Sequence, residues 1–310
     1  MSLVLAVIAP VFGAVGLGFV LLRAGIFDSG TSDGLAKFVY YVAIPALLFR
    51  SLARADLPDT LPWDLLIAFY VPSFAMFLGG ALVARYRLGW DRASMGVAGM
   101  GACYSNMVML GLPLATTAFG PSAAVPLFSI LAIQSSLLFP PATYCIEVYG
   151  AHGDTKRPWY HSKGRLLLNP VIFSLALGIA ANLSGNVPVG VLDSLLERLA
   201  QAAPGCALVS LGISLGQYRV SGGLREVSGF LILKNFLHPL LVWGLCLALT
   251  LPLEWTRVAV LLAAMPSGVN AYVFAKRYGL REEAMSKTIV LSTALTTLVT
   301  AVVLHFFLHQ

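Results

Sequence analysis

The chain has 310 residues, of which 58% are hydrophobic and only 11% charged, with a formal net charge of +6. Its mean hydropathy of +0.83 and its pI near 9.2 exclude an ordinary soluble domain, because such domains carry about 25% charged residues. The composition predicts an all-α polytopic membrane protein. No polar stretch is long enough for a second folded domain, so we expect a single membrane domain over residues 1–310.

Apolar runs of about 20 residues predict ten transmembrane helices. The first run lacks the basic start and the cleavage pattern of a signal peptide, so we expect it to remain as a true span. In chain order, the predicted spans cover residues 3–22, 35–52, 65–84, 94–119, 123–148, 165–183, 199–215, 230–251, 258–278 and 284–308.

The basic residues fall into alternate connections between these spans. Fifteen of the 20 Lys and Arg residues follow spans 1, 3, 5, 7 and 9, including those of the central loop at about 150–164. The positive-inside rule places this side in the cytoplasm, so both termini are predicted to lie outside. The basic pI therefore reports topology before it reports an anionic partner.

Landmark residues recur at a nearly constant offset between the two halves. Each half has five spans, so the second half enters the membrane in the opposite orientation and a duplication has to be an inverted repeat. We expect one repeat over about 1–149 and the other over about 165–310. The matched landmarks are Pro10 and Pro170, Pro45 and Pro204, Pro72 and Pro239, and Asn106 and Asn270.

The fourth and ninth spans are interrupted by polar, helix-disrupting sequence at 104–113 and 265–272. Proline removes a backbone donor and glycine permits unusual dihedrals, so Gly111, Pro113, Pro266 and Gly268 are predicted to break the two helices. Unpaired backbone groups are tolerated in lipid only where they are buried in protein or line a cavity. Paired breaks in matching positions point to the substrate site of a transporter.

Asn106 and Asn270 are the predicted ligand-binding side chains, since an amide can donate and accept hydrogen bonds. Half-helix N-termini at the breaks would add free N–H groups and positive dipole ends for an anion. Ser105, Ser267 and Tyr272 flank the breaks as further donors. The alternative is that the two asparagines only bond neighbouring backbone or hold helices together.

Three other polar residues inside spans are candidates for a role in charge or coupling. Lys234 and His238 lie four residues apart on one face of span 8, and Gln134 is central in span 5. A lysine there faces the protein interior, a water path or an acidic partner, unless it extends along the helix to reach the cytoplasmic interface. His238 could simply bond a carbonyl freed by Pro239, and Gln134 could join helices.

Neither a metal site nor a cofactor site is predicted. No Asp or Glu lies in the middle of a span, and Cys103, Cys145, Cys206 and Cys246 lack metal-ligand spacing. A coupling ion, H⁺ or Na⁺, stays open. Backbone carbonyls and the oxygens of Ser, Thr, Asn and Gln134 would have to bind such a cation, or Lys234 would have to supply the charge.

Several segments taken together resemble the auxin efflux carrier family, whose bacterial members include carriers for malonate, malate and related organic acids. The resemblance covers essentially the whole chain, and its last segment is the most specific. The segments are residues 106–113, 169–178, 204–215, 234–239 and 265–279.

This resemblance implies two inverted five-helix repeats with crossed broken helices 4 and 9, extracellular termini, and elevator-type alternating access. The fold would be similar to that of bile acid sodium symporters. Asn106 matches a family asparagine that contacts the substrate carboxylate, and Ile44 matches a region that lines the site. Some plant members carry an acidic residue in helix 3 near the lysine of helix 8, where this chain has Ser73 and no carboxylate.

The sequence therefore predicts a secondary-active or facilitative transporter of small organic anions, mono- or dicarboxylates including auxin-like ones, in a bacterial inner membrane. The alternative is a sodium-coupled, bile-acid-like symporter. An intramembrane enzyme would need a nucleophile with a base, a carboxylate dyad or a metal cluster, and the sequence shows no such spacing. A channel or a structural role is less favoured than a transporter. The expected partners are the organic anion and membrane lipid, without nucleic acid, and a homodimer stays open. Substrate identity, transport direction and stoichiometry are not predicted.

Overall fold

The computed structural model describes residues 2–55, 62–149, 170–218 and 224–308, and these residues are helical without any named β-strand. Seven helices in this part of the chain are long and apolar enough to cross a membrane. The expectation of an all-α polytopic membrane protein is confirmed. The predicted cytoplasmic loop at 150–164 lies outside the described residues.

Fourteen α-helices follow one another through the described segments. They are α1 (Ser2–Arg23), α2 (Ser29–Phe38), α3 (Ile44–Ala53), α4 (Trp63–Leu82), α5 (Ser94–Cys103), α6 (Leu112–Phe119), α7 (Ala124–Tyr149), α8 (Pro170–Leu183), α9 (Gly190–Gln217), α10 (Ser228–Ile232), α11 (His238–Ala248), α12 (Leu253–Ala263), α13 (Val269–Tyr278) and α14 (Glu282–Leu308).

Helices α2 and α9 begin more than five residues earlier than the hydrophobic runs predict. Helix α2 starts at Ser29 because Asp28 caps it, accepting a 2.8 Å hydrogen bond from the amide of Thr31. This bond and a second 2.8 Å bond from the Thr31 hydroxyl lower the pKa of the Asp28 carboxyl. Helix α9 starts at Gly190 although its first turns are charged. Asp193 there lies 2.8 Å from the guanidinium groups of both Arg50 and Arg54, so these charges pair between helices.

Three wider π-helical turns each end two residues before a proline. Proline cannot donate to the carbonyl four residues earlier, and its ring clashes with that carbonyl. The wider turn, with hydrogen bonds from residue i+5 to i, lets the helix continue through the proline. The turns are Val39–Ala43, Met107–Gly111 and Leu233–Leu237, and the prolines are Pro45, Pro113 and Pro239.

The buried apolar side chains form two clusters. Helices α6 and α12 contribute to the larger cluster, whereas α5 and α13 contribute to the smaller one. Each interrupted span therefore has one half in each cluster, and the interruptions lie at the boundary between them. Met107 and Met265 belong to the larger cluster and Tyr104 to the smaller one.

Helices α1 and α9 approach closely through two glycines. A Cβ on Gly18 would lie 2.2 Å from the carbonyl oxygen of Val209, and one on Gly212 would lie 2.0 Å from that of Val15. Only glycine allows this backbone approach, which is a common way for membrane helices to pack.

Cation–π contacts hold the far ends of the two interrupted spans. The guanidinium of Arg281 lies 4.9 Å from the ring centroid of Trp90, which precedes α5. At the opposite ends, the guanidinium of Arg257 in α12 lies 4.8 Å from the ring of Phe119 at the end of α6. Each contact joins the start of one interrupted span to the end of the other.

Candidate functional site

The two interrupted spans meet through a short pair of extended segments. Helix α5 ends at Cys103 and α12 ends at Ala263, and the chain between each end and the next helix is not helical. Ser105 and Ser267 face each other as an antiparallel bridge. The amide of Asn106 donates to the Pro266 carbonyl at 2.9 Å. Backbone groups left unpaired by both breaks therefore satisfy one another.

The predicted helix-breaking residues divide between the breaks and the helices beside them. Pro266 and Gly268 lie in the second break, and a Cβ on Gly268 would come within 2.7 Å of the Tyr104 ring. The prediction was wrong for Gly111 and Pro113, because both lie in continuous helix after the first break. The π-helical turn Met107–Gly111 accommodates the proline, so the chain breaks only at 104–106.

Asn106 lies where the first break passes into helix again. The residue is only 6% exposed, and within the described part of the chain its Nδ2 has no hydrogen-bond partner. The Oγ of Ser267, on the facing segment, is also buried without a partner among these residues. Since buried polar groups are nearly always hydrogen-bonded, these two groups are open donors at the meeting point of the spans.

Ser105 connects this point to two other helices. Its carbonyl accepts a 2.9 Å hydrogen bond from Nε2 of Gln134 in α7. Its hydroxyl oxygen accepts a 2.9 Å bond from Nζ of Lys234. Gln134 is 4% exposed, so it joins helices at the break, as one of the two sequence interpretations expected.

Asn270 has a different environment from Asn106. It is exposed in the first turn of α13, and its Nδ2 donates to the Tyr104 hydroxyl at 2.9 Å. That hydroxyl also lies 2.7 Å from Oγ of Ser135. Tyr272, half-buried two residues after Asn270, packs its ring 4.8 Å from that of Tyr218. The two asparagines therefore lie in one region but differ in environment. Asn106 is buried and its Nδ2 has no partner among the described residues, whereas Asn270 is exposed and hydrogen-bonded.

Lys234 is fully buried, so the interpretation that it extends to the membrane interface was wrong. Its Nζ donates to the Ala263 carbonyl at 2.7 Å, at the C-terminus of α12. It also lies 3.2 Å from Nδ1 of His238, which is likewise fully buried. A cation at a helix C-terminus is favourable, because that end carries negative partial charge. Lys234 therefore closes the end of one broken helix and reaches Ser105 of the other.

Ile44 is buried at the start of α3, directly after a π-helical turn. It shares the larger hydrophobic cluster with Met107. Leu47 and Arg50 of α3, with Arg54 directly after its end, line a cleft of about 440 Å³ that α6 and α7 also border.

Three hydroxyls at the site were not predicted from sequence as contributors. Tyr104 receives Asn270, Ser73 lies 3.0 Å from Nε2 of His238, and Ser292 Oγ accepts from the Ser267 amide at 3.0 Å. Hydroxyl residues are common in membrane helices, so Tyr104 and Ser292 carry no signal before their partners are known. Only the resemblance pointed to Ser73, at the helix 3 position near the lysine of helix 8. Among the described residues, no group of His, Cys, Asp and Glu is arranged to hold a metal ion.

Comparison with known proteins agrees with this architecture. The family model described as "Membrane transport protein" matches residues 3–156 and 160–304. A "Putative malonate transporter" of Rhizobium meliloti is 29% identical over 96% of this chain and 93% of its own length. "Auxin efflux carrier component 8" of Arabidopsis thaliana is 22% identical, covering 93% of this chain and 92% of its own. An "Uncharacterized transporter" of Methanothermobacter thermautotrophicus is 27% identical over 90% of both chains.

The family match extends through both interrupted spans and the segment that carries Lys234. The chain is a multi-pass membrane protein, and its family implies a small-molecule substrate. Relatives that are transporters are consistent with a role other than that of an enzyme. The chain therefore belongs to the membrane transport protein family, the transporters that resemble auxin efflux carriers.

Proposed function

We propose that this protein carries small organic anions, mono- or dicarboxylates, across the membrane. The observation that carries the proposal is the unpartnered, buried Nδ2 of Asn106 at the meeting point of two broken helices. A carboxylate would satisfy this donor. The name of the Rhizobium relative supports malonate as the first candidate, and the plant relatives support auxin-like carboxylates as the second.

In this proposal, Asn106 binds the carboxylate together with the hydroxyls of Ser105 and Ser267. The first turns of the helices that begin at Met107 and Val269 supply N–H groups without intrahelical partners. Lys234 supplies a positive charge to the bound anion from one hydrogen bond away, through the Ser105 hydroxyl. Asn270, Tyr272 and Ile44 border the site and select substrate shape. His238 and Gln134 act through Lys234 and Ser105, and Gly268 lets the two segments approach.

We further propose ten spans in two inverted repeats, with both termini outside, and an elevator-type movement. The cation–π contacts of Arg281 with Trp90 and of Arg257 with Phe119 support the repeat, because they lie at opposite ends of the paired spans. A single membrane domain over 1–310, the bacterial inner membrane and a homodimer complete the proposal. The bacterial relative supports the choice of membrane.

A sodium-coupled, bile-acid-like symporter is the second candidate. It is favoured by neutral oxygens near the second break, including Oδ1 of Asn235, which is buried and has no partner among the described residues. Against it, no carboxylate lies within 4 Å of Lys234 in this part of the chain. A sodium ion beside an unneutralised ammonium would be repelled.

Currents from proteoliposomes on a solid-supported membrane test both candidates. The panel is acetate, malonate, malate, succinate and an indole carboxylate, each applied with and without sodium or a pH step. A saturable, sodium-independent response to one carboxylate is the expected result. Radiolabel counterflow on the same liposomes detects electroneutral exchange. Absence of both current and counterflow across the panel would contradict the proposed substrate class.

A further inference from the structure

The hydrogen bonds that run from Ser73 to Lys234 form one consistent set of directions when the Ser73 hydroxyl donates within its own helix. The hydroxyl of Ser73 lies 2.8 Å from the Phe69 carbonyl, which can only accept, so Ser73 donates to it. Ser73 Oγ is then free to accept from Nε2 of His238 at 3.0 Å. A neutral His238 with its proton on Nε2 leaves Nδ1 as an acceptor for Lys234 at 3.2 Å.

In this arrangement the charged form of Lys234 has one hydrogen-bond acceptor for each of its three N–H groups. An ammonium has three N–H donors and no acceptor, and Nζ has three acceptors: Nδ1 of His238, Oγ of Ser105 and the Ala263 carbonyl. Every proton of the charged lysine therefore has a partner.

Within the described residues, the charge has no counterion. In the described segments, no carboxylate lies within 4 Å of Nζ, and Nζ is fully buried. A buried charge without a counterion is unfavourable. The polar or titratable neighbours that the surrounding helices present to Lys234 and His238 are Ser73 and Phe69 O from α4, Cys103 from α5, Ser105 from the first break, and Ala263 O from α12.

The same groups also support an arrangement with one proton fewer. If Lys234 is a neutral amine, it has a lone pair that accepts from Nδ1–H of His238. Nε2 then becomes an acceptor, and the Ser73 hydroxyl can turn from the Phe69 carbonyl to donate to it. Ser73 is within reach of both acceptors, at 2.8 and 3.0 Å. The network is therefore complete in two protonation states.

We propose that Lys234 and His238 form a binding site for one proton, which is taken up with the substrate anion and released with it. This rests on the proposed function, because the anion at Asn106 and Ser105 is what balances the ammonium. One N–H bond forms when the anion binds and breaks when it leaves, and the proton comes from and returns to water. Ser73 is a positioning residue that completes both states of His238.

Calorimetric titration of the purified protein with malonate tests this site without requiring transport. Binding heats are measured between pH 5 and 9 in two buffers that differ in ionisation enthalpy, and the difference gives the protons taken up per malonate. We expect uptake that approaches one proton in the pH range where the unliganded pair is deprotonated. In that range the affinity should fall up to about tenfold per pH unit.

Variants separate the proton site from the rest of the protein. Lys234→Met removes the titrating amine, so its malonate heats should be equal in both buffers. Ser73→Ala should shift the pH at which proton uptake occurs. The matched control is Ser129→Ala, which loses the same hydroxyl bond to the carbonyl four residues earlier but does not touch His238. Thermal melting identifies variants that do not fold, and His238→Gln replaces Lys234→Met in that case, with reduced proton uptake expected.

The possible results are distinguishable. If wild-type protein binds malonate with equal heats in both buffers across the pH range, the proton site is refuted and the proposed function stands. Malonate binding that requires sodium and moves no proton would refute it as well. If none of the carboxylates in the panel above binds, the proposed function fails and this inference fails with it.

Discussion

At the residue scale, Asn106 has a buried side-chain amide whose Nδ2 is available to a ligand. Its backbone amide already pairs with Pro266, whereas its side-chain Nδ2 contributes no bond to the described protein. A polar group that is buried without a partner weakens stability. It persists where a ligand supplies the missing acceptor, which is the physical reason to separate the roles of this residue in binding and in folding.

Asn106→Ala should weaken anion binding with little change in thermal stability. Losing a hydrogen bond to a charged group costs roughly 1.5–3 kcal/mol, or about 10- to 150-fold in affinity, and we expect transport to be abolished. Malonate counterflow and thermal melting measure the two effects. The matched control is Asn182→Ala, which removes two bonds, to the carbonyls of Leu52 and Ala55, and should lower the melting temperature instead. Normal uptake by Asn106→Ala would remove this residue from the site.

A second lysine, Lys287, is buried inside the last predicted span, although its charge was counted with the cytoplasmic connection before that span. Its side chain is 1% exposed inside α14, and its Nζ lies 3.5 Å from a carboxylate oxygen of Glu226. Charge near a predicted span end is typical of a loop. A carboxylate from a segment some 60 residues away along the chain cannot be foreseen as its partner.

Removing only the carboxylate should destabilise the protein more than removing the pair. Glu226→Ala leaves Lys287 buried and unpaired, at a cost of roughly 1–3 kcal/mol, less than for a fully buried pair because Glu226 is 39% exposed. The double variant Glu226→Ala/Lys287→Met should recover most of the loss. Thermal melting in detergent measures both. Equal melting temperatures for the single variant and the wild type would show that the contact carries no stability.

At the scale of elements, the π-helical turns explain both a failure and a success of the sequence analysis. The interruptions of spans 4 and 9 were predicted correctly, because glycine and proline inside apolar runs are local signals. Their extent was not, since a wider turn lets α6 contain Pro113. Such a turn depends on how the helix packs and leaves no pattern in the sequence. All three turns before prolines adjoin proposed site residues: Ile44, Asn106 and His238.

The packing of α1 on α9 should depend on Gly212 but not on Gly205, another glycine of α9. A Cβ at Gly212 would collide with the Val15 carbonyl, whereas one at Gly205 would meet nothing within 4 Å. Gly212→Ala should therefore lower stability by about 1–3 kcal/mol, whereas Gly205→Ala should raise it slightly through helix propensity. Melting curves of the two variants provide the comparison. A tolerated Gly212→Ala would mean that the two helices separate at little cost.

At the scale of the whole molecule, the all-helical class followed from composition, whereas the number and orientation of spans rest on pattern. Seven helices meet the length and hydropathy of a span, and the proposed ten require the shorter and interrupted helices as well. Hydropathy undercounts the shorter and interrupted helices, because the polar residues of the site interrupt their apolar runs. Charged residues such as Asp193 also made the predicted start of α9 too late in the sequence. Ion pairs of Asp193 with Arg50 and Arg54 stabilise this charged start of the helix.

Labelling of single cysteines tests the proposed orientation. With the four native cysteines replaced, Ser184→Cys should react with a membrane-impermeant maleimide in intact cells, because its turn is proposed to lie outside. Ala24→Cys should react only after permeabilisation. Both positions are exposed in the structure, so burial does not limit their labelling. The reverse pattern would invert the topology and place both termini in the cytoplasm.

The pairing of Ser105 with Ser267 has a consequence for biosynthesis. The partners are separated by about half of the chain, so the first break leaves the ribosome long before its partner exists. At roughly 5–20 residues per second, the interval is on the order of 10–30 s. For that time, the amide of Asn106 and the carbonyl of Tyr104 have no backbone partner. The nascent first half must therefore remain beside water or an insertion factor, and it matures only when the second half arrives.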